Sequence, residues 1–95
     1  MEELLTLVRT KRAEELKIHV GTPPVIVMRG VQQPIEGPVI TPEEAGHLLR
    51  SIASTRQMRE MWDSGEMEFL YNFRNSSFFL VRARMQNEIV AFDVR

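Results

Sequence analysis

The chain of 95 residues contains no cysteine, and this absence excludes disulfide bonds and thiolate metal sites. No apolar run approaches the roughly 18–20 residues that a membrane-spanning helix needs. The acidic start, Glu2-Glu3, is unlike the basic start of a signal peptide. A cytoplasmic location is therefore the default expectation.

An excess of charge of one sign is also missing. The chain carries 12 basic and 13 acidic residues and has a formal net charge of −1. A nucleic acid or an anionic membrane would favour a basic excess, so neither is expected as a partner. The apolar share of 43% and the charged share of 26% are typical of a globular protein. The length predicts one domain over residues 1–95.

Motifs for phosphate or nucleophile chemistry are absent. The five glycines form neither a phosphate-binding loop nor a Gly-x-Ser-x-Gly motif. The two histidines, His19 and His47, lie far apart and lack the spacing of metal ligands. We interpret His19 as a solvated ring on a strand and His47 as packing at a helix boundary. No catalytic, cofactor-binding or metal residues are predicted, and the chain alone is not expected to be an enzyme.

What the sequence does contain is a strand–turn–strand pattern over residues 16–30. Leu16, Ile18 and Val20 alternate with polar residues, as in a half-buried strand. The apolar run Val25–Met28 predicts a second strand, and residues 31–33 predict a short third strand that Pro34 ends.

Glycine and proline predict the turns of this region. Glycine tolerates positive φ, whereas proline fixes φ and lacks a backbone donor. The residues expected to form the structural turns are Gly21, Pro23, Pro24 and Gly30.

Three helices are predicted. The first spans residues 1–13 on its amphipathic pattern. The second begins after Thr41, whose hydroxyl can cap it, with Pro42 in the first turn and Glu44 completing a capping box. The third uses Ser54 and Gln57 in the same way. It ends at Gly65, and its apolar face is predicted to be Met58, Met61 and Trp62.

From Glu66 onward the apolar period changes to two, which predicts three further strands. The predicted turns are residues 74–77 and a two-residue loop at Asn87-Glu88. That loop places Ala83 opposite Phe92 and Val81 opposite Val94. On the other face it places Arg82 opposite Asp93 as a cross-strand charge pair.

The order of elements is thus α-β-β-β-α-α-β-β-β, which predicts an α+β fold. It has three helices and a mostly antiparallel sheet of five to six strands. One sheet face is expected to pack on the helices and the other to stay partly free. The aromatic stripe of the last strands is interpreted as core, opposite the arginines.

A candidate partner interface lies on that freer face, formed by Arg82, Arg84, Arg95 and Leu80. Ile89 adds a further apolar residue. One interpretation is a solvated face that Asp93 and Glu68 partly neutralise. The functional interpretation is a contact surface for an acidic or phosphorylated partner, because arginines beside aliphatic residues are more typical of contacts than of catalysis.

The order of segments resembles the N-terminal domain of PilT-like twitching-motility ATPases. These are motors of type IV pilus retraction within the type II/IV secretion ATPase superfamily. The resemblance rests on A-E-E-L-K-I-H-V-G-T-P-P-V-I-V-M-R-G (residues 13–30), G-P-V-I-T-P-E-E (37–44), R-Q-M-R-E-M-W and F-F-L-V-R-A-R-M-Q-N. The sequence departs from the family at Glu14-Glu15, which replace Ser-Asp, and at Lys17, which replaces a histidine. Leu80 also stands where an arginine is usual, which argues against a nucleotide contact there.

The resemblance implies a PAS-like fold and a non-catalytic assembly role. The implied partner is the ATPase domain of the same or a neighbouring subunit, within a hexamer at the periphery of inner-membrane pilus or type II secretion machinery. ATP and Mg²⁺ would enter only through an ATPase domain, which this chain lacks. The isolated chain is expected to be a monomer or a weak dimer.

Two alternatives remain open at the level of sequence. Because the chain stops at Arg95, where the family's linker to the ATPase domain begins, it is either part of a longer ATPase or a free-standing interaction or regulatory module. A PAS-like sensor of a small ligand is the other alternative, although no buried polar cluster is evident that would orient a ligand.

Overall fold

The computed structural model describes residues 1–75 and 77–95, and its elements follow the predicted order. The helices are α1 (Glu2–Lys11), α2 (Pro42–Arg50) and α3 (Thr55–Ser64). The strands are β1 (Glu15–Ile18), β2 (Val25–Met28), β3 (Val31–Pro34), β4 (Glu66–Phe73), β5 (Ser77–Gln86) and β6 (Ile89–Val94). The prediction of an α+β fold with three helices and up to six strands is confirmed.

All six strands form one sheet in the order β3-β2-β1-β6-β5-β4, and every neighbouring pair is antiparallel. The first and last strands therefore lie side by side at the centre, with Leu16 opposite Val94 and Ile18 opposite Phe92. The predicted two-residue loop at Asn87-Glu88 is confirmed, because Gln86 pairs with Ile89.

The core lies between one face of the sheet and the three helices. Strand residues that point to this face form one cluster with Leu5 and Val8 of α1, Leu49 of α2 and Met61 of α3. Phe92, at the centre of the sheet, is fully buried within it. Within the described part of the chain, the helices are all too short or too polar to cross a membrane.

The turns match the prediction in kind but differ in extent. Gly21 has φ +91°, and Gly30 has φ +77° directly after Arg29 at φ +52°. Two successive positive φ values are those of a type I′ hairpin turn. The connection between β1 and β2 is longer than expected, because Val20 leaves the sheet and forms a parallel bridge with Ile40.

The predicted turn at residues 74–77 includes Ser76, which lies outside the described residues. Arg74 and Asn75 there have positive φ, and Ser77 already belongs to β5.

The helix caps confirm most of the end signals. The backbone N–H of Gln57 donates to Ser54 Oγ at 3.1 Å, and the Ser54 N–H donates to Gln57 Oε1 at 2.8 Å, which completes the capping box. Thr41 Oγ1 accepts from the Glu44 N–H at 3.1 Å, as expected. The second half of that box is different, since the Glu44 carboxylate accepts the Thr41 hydroxyl at 3.0 Å.

Two predicted helix positions are wrong. The first helix ends at Lys11 rather than at Ala13, because Arg12 adopts a left-handed conformation with φ 54°. Trp62 is 60% exposed although it was assigned to the apolar face of α3. The short α3 buries a narrow stripe at Met61, and Trp62, one residue further around the helix, lies at the border of that stripe.

Replacing the cap residue in Ser54→Ala is expected to lower the free energy of unfolding by about 1 kcal/mol, because the backbone N–H of Gln57 loses its acceptor, Ser54 Oγ. Urea unfolding measures the change. The matched control is Ser51→Ala, whose hydroxyl donates only to the exposed end of α2 at the Leu48 carbonyl. A control variant as destabilised as Ser54→Ala would contradict the assigned role of the cap.

Candidate interaction surface on the open sheet face

The sheet face turned away from the helices, called the open face, carries all four residues of the predicted interface. Leu80, Arg82 and Arg84 alternate along β5 with buried Val81 and Ala83. Arg95 extends β6 by one position, since its backbone N–H and C=O both bond to Leu80 at 2.9 Å. Strand alternation and register thus place the four residues together; whether they bind a partner stays a prediction.

Each arginine of this face has a carboxylate partner in the chain. Arg95 Nε donates to Glu15 Oε2 at 2.7 Å, and Arg82 Nε lies 2.9 Å from Glu68 Oε2. Arg84 is paired more loosely, with 3.9 Å between its guanidinium and Asp93 Oδ2. The face is therefore a pattern of alternating charges rather than a positive patch.

The expected charge pair between Arg82 and Asp93 is wrong, although the register that suggested it is correct. Arg82 has a second direct neighbour, Glu68 on β4, and the ion pair forms on that side. Asp93 Oδ1 is instead held by His19 Nε2 at 2.9 Å across the central strand pair. A residue in an inner strand has a neighbour on each side, and register alone does not choose between them.

His19 is therefore not the solvated ring that was predicted. Its side chain is only 35% exposed and bonds to Asp93, which is itself 20% exposed. The expectation for His47 is also wrong, because its side chain is exposed on α2 rather than packed at a boundary.

Glu15 holds the other end of this charge pattern. It contacts Arg95 and also Lys17, whose Nζ lies 3.7 Å from Glu15 Oε1. The hydrogen bond from Arg95 to Glu15, followed by the negative charge of Glu15, raises the pKa of the Arg95 guanidinium. Arg95 consequently stays charged at every pH at which a partner could be tested.

An exposed apolar cluster, formed by Leu70, Phe78 and Leu80, lies beside these ion pairs. Leu70 is 67% and Phe78 69% exposed, while Leu80 is half-buried. Leu70 lies directly opposite Leu80 on the neighbouring strand, and Phe78 precedes Leu80 by two positions on the same strand face. Exposed apolar side chains that adjoin one another are a mark of contact surfaces.

Sequence reasoning missed two members of this apolar cluster. The aromatic stripe predicted as core does not include Phe78, and no role was predicted for Phe78 on the opposite face. The signal was present, because Phe78 and Leu80 share the strand parity of Arg82. Ile89, predicted as part of the surface, is exposed but pairs with Gln86 at the far end of the hairpin, away from the cluster.

A shallow depression of about 460 Å³ adjoins the arginines. Its ionisable lining residues comprise three arginines and three acids: Glu66, Glu68, Arg82, Arg84, Asp93 and Arg95. Each of the three arginines has a carboxylate partner, Glu68 for Arg82, Asp93 for Arg84 and, outside this lining, Glu15 for Arg95. Such paired charges suit a contact surface better than acid–base chemistry. Among residues 1–75 and 77–95, no group of three acidic, histidine or cysteine side chains could hold a metal ion.

Comparison with known proteins shows the fold. Neither a protein-family model nor a curated protein matches the chain. Among solved structures, the pilus retraction motor PilT with bound ADP is similar over 100% of this chain and 28% of its own, with a TM-score of 0.89 and 22% identity. The Legionella pneumophila ATPase DotB is similar over 100% of this chain and 27% of its own, with a TM-score of 0.81 and 20% identity.

The chain therefore spans little more than a quarter of the length of either ATPase. The resemblance seen in the sequence is confirmed at the level of the fold, which this chain shares with part of the pilus retraction motor PilT and part of the ATPase DotB.

Two acids of the open face, Asp93 and Glu68, are expected to differ in their effect on stability. Asp93→Ala removes the acceptor of a part-buried hydrogen bond, so the free energy of unfolding should fall by about 1–2 kcal/mol. Glu68→Ala breaks an ion pair whose side chains are 60% and 55% exposed, so the loss should stay below about 1 kcal/mol. Urea unfolding of both variants checks the order, and a larger loss for Glu68→Ala would contradict it.

Proposed function

We propose that this chain is a non-catalytic assembly domain of a pilus or secretion motor ATPase and packs against the ATPase domain of the same or a neighbouring subunit. The observation that carries the proposal is the similarity of its entire length to part of the motor PilT and part of the ATPase DotB. In the proposed setting the domain corresponds to the N-terminal, PAS-like part of such a motor and works in the cytoplasm beside the inner-membrane machinery. ATP and Mg²⁺ are bound by the ATPase domain.

The open face is the surface we assign to this contact. Its apolar cluster supplies surface that gains from removal from water. The ion pairs of Arg82 and Arg95 border the cluster on one side, so an apolar centre adjoins a charged rim. That arrangement is typical of interfaces between proteins. The arginines that rim the cluster already have partners, so they contribute orientation more than affinity.

Phe78 is expected to dominate the contact, because a large exposed aromatic side chain is the kind of residue that concentrates binding energy. In a calorimetric titration of the chain with the ATPase domain of a PilT-like motor from the same genome, Phe78→Ser should weaken binding at least about tenfold. The matched control is Val39→Ser, because Val39 is 50% exposed and lies in the connection before α2. Equal weakening by both variants, or no binding by the unaltered chain, would overturn the proposal.

Purified chain is expected to show no ATP turnover in a phosphate-release assay, while the ATPase domain, measured alone and with the chain added, supplies the activity. Turnover by the chain itself, retained after repeated purification, would reject the non-catalytic assignment.

A further inference from the structure

The two edges of the sheet differ in what they offer to another strand. β3 forms one edge and has four residues, whereas β4 forms the other and has eight. An edge strand with unpaired backbone groups is a template for pairing with another chain. The number of free N–H groups on each edge therefore decides which of them can accept a strand.

The backbone groups of β4 alternate between β5 and solvent. The N–H of Met85 donates to the carbonyl of Gly65 at 2.8 Å, so the odd-numbered residues along β4 face β5. The even-numbered residues of β5 bond to β6, as the paired bonds of Leu80 and Arg95 show, which agrees with this assignment. The N–H and C=O groups of the even-numbered residues consequently point away from β5. Those of Glu66 already contact Ser64, whose hydroxyl donates to the Glu66 carbonyl at 2.7 Å. The outward groups of Glu68, Leu70 and Asn72 remain open to another strand.

The opposite edge is blocked by a proline. The N–H of Ile35 donates to the carbonyl of Pro24 at 2.7 Å, so the odd-numbered residues of β3 bond to β2. Gln32 and Pro34 face outward, and proline has no N–H to donate. β3 thus offers a single outward donor, at Gln32, whereas β4 offers three, at Glu68, Leu70 and Asn72, and has no proline or glycine among its residues.

We propose that β4 pairs antiparallel with β4 of a second copy of this chain, about a two-fold axis at Leu70. In this register Leu70 lies opposite Leu70 of the second copy, and Glu68 lies opposite Asn72. The apolar cluster of each copy then continues across the axis into that of the other.

Charge and polarity select this register over its neighbours. Because only even-numbered residues face outward, the pairing shifts in steps of two in the sum of partner positions. One step back places Leu70 against Glu68 and one step forward places it against Asn72, so both shifts lose the contact between the two Leu70 side chains. Two steps back place Glu68 against Glu68, with like charges directly opposite. On the helix side, the chosen register brings half-buried Phe69 against Tyr71 of the second copy and covers both.

The interface of this dimer, a single pair of strands, is small. The dimer should therefore dissociate readily, since interfaces that bury less than about 1,200 Å² in total are weak. It goes beyond the proposed function, because it needs no ATPase domain and is measured on this chain alone. If the dimer is not found, the proposed contact with an ATPase domain is unaffected, and if that contact is not found, the dimer proposal is unaffected.

Sedimentation equilibrium from roughly 10 μM to 1 mM is expected to show a monomer–dimer equilibrium. Amide hydrogen exchange should slow with concentration at Glu68, Leu70 and Asn72 and stay unchanged at Gln32. Leu70→Pro removes an outward N–H that the monomer does not use, so it should keep the fold and reduce the association constant at least about tenfold. Leu70→Lys, which places two cations on the axis and keeps the backbone intact, should act in the same direction.

Gln32→Pro is the matched control, because it removes the outward N–H of the other edge and should leave dimerisation unchanged. A chain that stays monomeric at 1 mM would overturn the proposal. So would a dimer that Gln32→Pro abolishes, one that both Leu70 variants retain, or one in which the outward amides of β4 exchange as fast as in the monomer.

Discussion

The pairing of the first strand with the last is the interaction on which the rest of this molecule depends. β1 and β6 meet through Leu16, Ile18, Phe92 and Val94, all fully buried. β1 belongs to one three-stranded half of the sheet and β6 to the other, so without this contact neither half has a complete core. The same contact brings together His19 and Asp93, which are 74 residues apart in sequence. Both the core and the open face therefore form only when the two ends of the chain are in place, a non-local requirement that slows folding.

Much of the fold follows from local signals. The change from a helical period to a period of two at Glu66 marks where β4 begins, and the cap at Ser54 sets the start of α3. Such signals depend only on residues close together in the chain, so they can be recognised in the sequence. Val20 shows where they fail, because its alternation continues β1 while tertiary contact draws it to Ile40. The predicted burial of Trp62 is wrong for a related reason, since the width of the buried stripe on α3 depends on how closely the sheet approaches the helix.

The residues of the open face could be predicted in part, because they too follow from a local signal. Strand parity places Leu80, Arg82 and Arg84 on one side without knowledge of the fold. The ion-pair partner of Arg82 could not be predicted from the sequence, because Arg82 has an acidic neighbour on each adjoining strand, Glu68 on β4 and Asp93 on β6. The position of β4 decides between the two. The apolar cluster could not be predicted from the sequence either, since Leu70 and Phe78 become neighbours only when the hairpin of β4 and β5 is formed.

Pro34 has a consequence for how far any association of this protein can proceed. Growth of a fibril requires that every added unit present a fresh receptive edge on its far side. Here the far side is β3, which is short and lacks the donor that Pro34 withholds. Strand addition at β4 would therefore leave β3 as the exposed edge of the assembly, and this edge is a poor template for a further strand.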